Sequence, residues 1–157
     1  MEYQIEGNPD YGQLTVGLGP DERFIAEGGS MAWMSDGMEV KARLIGGLLK
    51  AVVRKMVAGE SLFVGEYHHP TGGSATFSPS RPGAVLQRTL NGDSLMLTAG
   101  SFMASTPDVK LSTRFGGLRG IFSGEGAFFI ECSGSGELFF NSFGAIIEKE
   151  IEGSLVV

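Results

Sequence analysis

A chain of 157 residues is the length of one domain, or of two small repeats sharing a core, and it buries roughly 68–70% of its unfolded surface on folding. Glycine fills 25 positions, about twice its ordinary share of ~7%, which argues against a helical bundle because each interior glycine costs a helix roughly 1 kcal/mol relative to alanine. A net charge of −6 with a pI near 4.9 weighs against nucleic acid as a partner, since such binders need basic surface to displace counterions from phosphates.

The N-terminal string MEYQIEGNPDYG opens with acids and has neither a basic n-region nor an apolar h-region, so no signal or transit peptide is expected. Further on, short apolar or alternating runs punctuated by Gly, Pro, Asn or Asp predict strands over 24–26, 38–44, 61–64, 75–77, 84–86, 95–98, 109–115, 127–132, 137–140 and 145–148. Met38, Val40, Ala42 and Leu44 alternate with Glu39, Lys41 and Arg43. Val109, Leu111, Thr113 and Phe115 alternate with Lys110, Ser112 and Arg114. Each of these two strands is expected to have one wet face. Short strands at close spacing predict a single all-β domain, 1–157, built as a sandwich or barrel.

The stretch after Arg43 departs from the period of two. Leu44, Ile45, Leu48, Leu49, Val52, Val53, Met56 and Val57 form a stripe at period 3.6, with Lys50, Arg54 and Lys55 opposite. Gly46 and Gly47 delay helix initiation, so a short amphipathic helix is predicted over about 48–57. Such a helix covers a sheet edge or an oligomer contact, or it lies with its cations on anionic lipid. The same basic residues interrupt the acid-free stretch 40–59, which falls well short of the ~18 uninterrupted apolar residues of a membrane span. Cys132 is the only cysteine, so neither an intrachain disulfide nor a zinc knuckle is expected, and a soluble, cytoplasmic protein is.

Internal comparison is more informative than any single motif. Phe24-Ile-Ala-Glu-Gly-Gly-Ser-Met aligns with Leu95-Met-Leu-Thr-Ala-Gly-Ser-Phe. Val40-Lys41 precedes Gly46-Gly47-Leu48 as Val109-Lys110 precedes Gly116-Gly117-Leu118, and Gly59-Glu60 matches Gly124-Glu125. Pro82-Gly83-Ala84-Val85-Leu86 matches Phe143-Gly144-Ala145-Ile146-Ile147. The shared order predicts two copies of one strand series, at about 21–90 and 93–150. Gly29 and Gly100 are expected at corresponding turns or close backbone approaches. The paired tips GGLLKAVVRK and GGLRGIF nominate Leu48, Leu49, Lys50, Val53, Arg54, Lys55, Leu118 and Arg119 as an interface or membrane contact.

The strings GGSMAWMSDG, GESLF, PGAVL, AGSFMASTPDV, GEGAFF and SGSGELFFNSFGAIIE resemble the family named for altered inheritance of mitochondria protein 24, over roughly residues 20–157. The resemblance implies a β-rich fold similar to that of the tryptophan RNA-binding attenuation protein, assembled as a homo-oligomer. It also implies a link to inner-membrane organisation for the mitochondrial member, and no assigned reaction for the prokaryotic ones. In departure from that family no targeting presequence is expected here, and Ser154-Leu-Val-Val157 falls where members run on through another strand series. The family supplies no catalytic residues to carry over.

Catalytic motifs are weak. Ser30, Asp36 and His68 follow the order of an α/β-hydrolase triad, but Ala32 replaces the closing glycine of a nucleophile elbow and no helix pattern follows Ser30. Its repeat partner Ser101 favours a structural role. His68 and His69 are the only histidines and, as neighbours in an extended segment, point to opposite faces. Glu66 shares the face of His68, yet a metal site needs three or four ligands, so the pair is expected in a solvated loop before Pro70. Glu60 and Glu125 are expected to accept backbone amides at turns. No phosphate loop and no dinucleotide fingerprint is present, so no cofactor is expected. Trp33 is a candidate for an oligomer interface. The residues therefore predict a non-enzymatic oligomeric β scaffold or binding module at the membrane periphery, with a ligand- or RNA-binding ring as one alternative and a hydrolase as the other.

Overall fold

The computed structural model describes residues 1–45, 63–98, 100–115 and 128–154. Their eleven strands are β1 (Glu2–Glu6), β2 (Gln13–Leu18), β3 (Arg23–Glu27), β4 (Met31–Met34), β5 (Glu39–Leu44), β6 (Phe63–His68), β7 (Gly73–Phe77), β8 (Val85–Thr98), β9 (Phe102–Ser105), β10 (Val109–Phe115) and β11 (Phe128–Asn141). The architecture is all-β, with no helix among the described residues. One antiparallel sheet runs β1-β2-β7-β4. The other, seven-stranded and curled into a half-barrel, runs β10-β11-β9-β3-β6-β5, with β8 added along β11.

Two apolar clusters hold these sheets, and the period of two decides which residue joins which. Leu14 and Val16 of β2 and Phe77 of β7 meet Phe24 and Ala26 of β3, Tyr67 of β6, Met103 of β9 and Phe139 of β11. Phe24 lies 5.7 Å from Phe77 and 5.8 Å from Phe139, ring centre to ring centre. Each fully buried side chain of this size contributes about 1.5–3 kcal/mol. The intervening Ile25, Phe102 and Leu138 turn to a second cluster with Leu90, Leu97, Val109 and Ile130, drawn from the curled sheet alone. The middle of that sheet is therefore buried on both faces, which is why Phe24-Ile-Ala and Phe102-Met-Ala read as continuous apolar runs rather than alternations.

Several sequence expectations change here. The runs predicted at 84–86 and 95–98 belong to one strand, the 14-residue β8, and those at 127–132 and 137–140 to the 14-residue β11. These two strands pair along their length with a register shift between Ser133 and Ser135, where Gly134 has φ +117°. Glycine, asparagine and serine in both strands look like turn signals. The ladder keeps them extended, and a bulge absorbs the irregularity. Segment 145–148 forms no strand and is exposed. The strands β1, β2, β4 and β9 were not anticipated. β5 is exposed on both faces, Val40 included, because it is the outermost strand of its sheet rather than one with a covered apolar side. The helix expected over 48–57 lies outside the described residues.

Candidate interaction surface

The outer face of β3, β6 and β5 carries a set of charges placed by strand register. Arg23 lies opposite His68, which lies opposite Glu39, and the next row on this face sets Glu66 opposite Lys41. Glu66 is mostly buried and accepts from the guanidinium groups of both Arg23 and Arg43, the latter at 2.6 Å. The Arg23 hydrogen bond, followed by that of Arg43, holds the Glu66 carboxyl below the usual carboxylate range. His68 sits between carboxylates, with Nε2 3.5 Å from Asp21 and Nδ1 3.5 Å from Glu39. On β10 and β11, Glu131 accepts from Arg114 Nη2 at 2.7 Å and from Ser112 Oγ at 3.0 Å, and these bonds likewise lower its pKa. With both arginines half-exposed, the Arg23–Glu66 and Arg43–Glu66 pairs typically give about 0–1 kcal/mol each.

The residues of the supposed triad make separate local contacts. Ser30 is buried and its Oγ donates to the Glu27 carbonyl at 2.8 Å. The Asp36 carboxylate accepts from the Gly37 amide, and the Asp36 carbonyl lies 2.9 Å from His69 Nε2. The Thr71 amide donates to His69 Nδ1, which places the ring proton on Nε2, facing that carbonyl. The solvated loop expected before Pro70 is thus corrected: His68 ends β6 and pairs across it, while His69 is buried and hydrogen-bonded. Glu66 and His68 do share a face, but Glu66 is taken by two arginines. Gly29 and Gly100 occupy turns with φ of +94° and +83°. Cys132 is buried, and desolvation, aided by the nearby Glu131 charge, pushes its thiol up to about 12. Glu60, Glu125, Leu48, Leu49, Lys50, Val53, Arg54, Lys55, Leu118 and Arg119 lie outside the described residues.

The apolar surface is concentrated at strand edges and loops. β4 is the outermost strand of its sheet, and Met31, Trp33 and Met34 are all exposed on it. Met96 is exposed on β8, whose only ladder partner among the described residues is β11. Tyr11 and Phe143 flank an open depression lined also by Asp10, Pro82, Gly83 and Gly144. Trp33 was singled out from sequence. Its neighbours were not, because Met-Ala-Trp-Met has no alternation and reads equally well as core.

A family described as Mitochondrial biogenesis AIM24 matches residues 3–157. An uncharacterized protein of Streptococcus pyogenes serotype M6 is 25% identical over 162 residues, covering 98% of this chain and 65% of its own length. A crystal structure of a Streptococcus pyogenes protein superposes with a TM-score of 0.70 at 24% identity, over 92% of this chain and 65% of that one. The chain therefore spans about two thirds of the length of the proteins it matches.

Proposed function

The chain belongs to the Mitochondrial biogenesis AIM24 family, and on that premise we propose that it is a non-enzymatic β scaffold of the cytoplasm, assembling with copies of itself and held at the periphery of an anionic membrane. The observation that carries this reading is a contrast between surfaces. Charges on β3, β6 and β5 are engaged with one another, whereas β4 leaves Met31, Trp33 and Met34 open. Such a surface binds by contact area rather than through reactive groups.

The finer architecture in this reading is one β unit present twice, of the short-strand kind similar to the tryptophan RNA-binding attenuation protein. Its support lies in pairing. β7 pairs with β2 and β4, and β6 pairs with β3 and β5. Correspondingly, 135–141 of β11 pairs with the first part of β8 and with β9, and 128–134 pairs with the second part of β8 and with β10. The β4–β7 ladder shifts register between Met31 and Trp33, and the β9–β11 ladder shifts at the matching Phe102 and Ala104. Ser30 donates its amide to Glu27 and accepts from Ser78; Ser101 donates to Thr98 and accepts from Asn141. The ion pair of Arg43 with Glu66 has its counterpart in Arg114 with Glu131.

In the same reading the membrane contact is made by Leu48, Leu49, Lys50, Val53, Arg54 and Lys55, with Leu118 and Arg119 from the second unit. The cations Lys50, Arg54, Lys55 and Arg119 set among apolar residues support a membrane context. The test is flotation with phosphatidylserine-containing vesicles. Each basic residue near such a surface is worth about 1 kcal/mol, so Lys50→Glu with Arg54→Glu is expected to weaken binding by at least tenfold. Equal flotation of parent and double variant, or none for the parent, refutes the membrane role.

A further inference from the structure

Strands β3 and β9 form the seam that joins the two halves of the curled sheet. Ile25 lies opposite Ser105 there, and Ala26 opposite Ala104. Along this seam Ile25 is 5% exposed, and Ala26, Ala104 and Ser105 are 0% exposed. The correspondence between halves carries Gly29 onto Gly100, and by the same shift it carries Ile25 and Ala26 onto Met96 and Leu97 of β8. It also matches Ala104 and Ser105 of β9 with Trp33 and Met34 of β4. Each half of the seam therefore recurs without its partner among the described residues, where β4 pairs only with β7, and 94–98 of β8 only with β11. Three of the four matched side chains are open, Met96 at 51%, Trp33 at 58% and Met34 at 38%, while Leu97 packs into the second cluster.

Edge chemistry separates these two edges from the others. An outermost strand is normally guarded against pairing by charged side chains. β1 carries Glu2 and Glu6, and β5 carries Glu39, Lys41 and Arg43. Neither Met31–Met34 nor 94–98 holds a charged residue. β10 carries Lys110 and Arg114, so among the described strands the two unguarded edges are the two that complement each other.

We propose that a second copy of this chain covers them. β4 of one copy pairs antiparallel with β8 of the next, Met34 opposite Met96 and Trp33 opposite Leu97, repeating the internal β3–β9 seam. Trp33 and Met34 are larger than the Ala104 and Ser105 they match, so the seam between copies centres on residue types that are enriched in interfaces. Because the two surfaces differ, the contact is head-to-tail, closing into a ring or extending as a filament according to its rotation. The inference specifies the surface of the self-assembly proposed above and does not depend on the membrane role.

Light scattering at micromolar concentration tests it. The parent is expected at a multiple of its 16.6 kDa chain mass. Trp33→Asp and Met96→Asp, each lacking one side of the seam, are expected to be folded monomers by circular dichroism and urea midpoint. Mixed in equal amounts, they retain one good edge each and are expected to form a dimer of the two variants. A parent that stays monomeric overturns the proposal and assigns the edges to a covalently attached unit, for which the longer relatives have room. Variants that assemble like the parent leave self-association standing but overturn this surface. Folded variants that stay monomeric when mixed overturn the head-to-tail seam.

Discussion

Gly83 sits where three chain segments meet, and replacing it by alanine separates two physical costs that glycines in this fold embody. The Gly12 amide donates to Gly83 O, the Gly144 amide to Pro82 O, the Ala84 amide to Gly144 O and the Ser142 amide to Ala84 O, at 2.9–3.2 Å. A Cβ on Gly83 falls 1.8 Å from Ser142 O and 2.8 Å from Gly144 N. Both are backbone atoms, so no side chain can rotate away, and the segments must move apart by more than about 1 Å to restore contact distance. Four hydrogen bonds at about 0.5–1.5 kcal/mol each put the cost of Gly83→Ala at roughly 2–6 kcal/mol. Gly29 and Gly100 present the other case: φ is +94° and +83°, and nothing lies within 4 Å of an added Cβ. Gly29→Ala and Gly100→Ala are therefore expected to cost only the left-handed backbone, about 1–2 kcal/mol, and by similar amounts. Equilibrium urea unfolding reads all three. A Gly83→Ala variant within 1 kcal/mol of the parent, or a Gly29→Ala variant costlier than Gly83→Ala, refutes the reasoning.

Two further expectations concern titrating groups. The folded pKa of Glu66 lies below its unfolded value of about 4.3, so its ionised form stabilises the protein above that pH, and the contribution disappears as pH falls through the folded value. Glu66→Gln should cost about 1 kcal/mol at neutral pH and flatten the acid limb of the urea midpoint; an acid limb as steep as the parent's contradicts the role of the Arg23–Glu66–Arg43 bridge. Cys132, buried and with its thiol pushed up to about 12, should resist alkylation at neutral pH until the chain unfolds. Labelling of the native protein at the rate of an exposed thiol excludes that packing.

Local pattern determined which residues extend. Glycine content and turn spacing placed the all-β class, and the apolar runs at β3, β7 and β10 were found because a strand's own side chains record its period. Glycine at the left-handed turns of Gly29 and Gly100 was also readable, since such a turn imprints glycine directly on the sequence. What escaped is how strands lie beside one another. β8 and β11 each appeared as two strands, because glycine and asparagine signal turns locally while only a paired neighbour shows that the chain stays extended. His68 and His69 looked like loop residues, and register against Arg23 and Glu39 made one of them part of a charge array. The sharpest case is the pair Met31–Met34 and Phe102–Ser105, two short and largely apolar strands. One is exposed throughout and the other buried throughout. Burial of a strand edge depends on whether another strand runs alongside, and that neighbour comes from a distant part of the chain or from outside it, so no local period can record it.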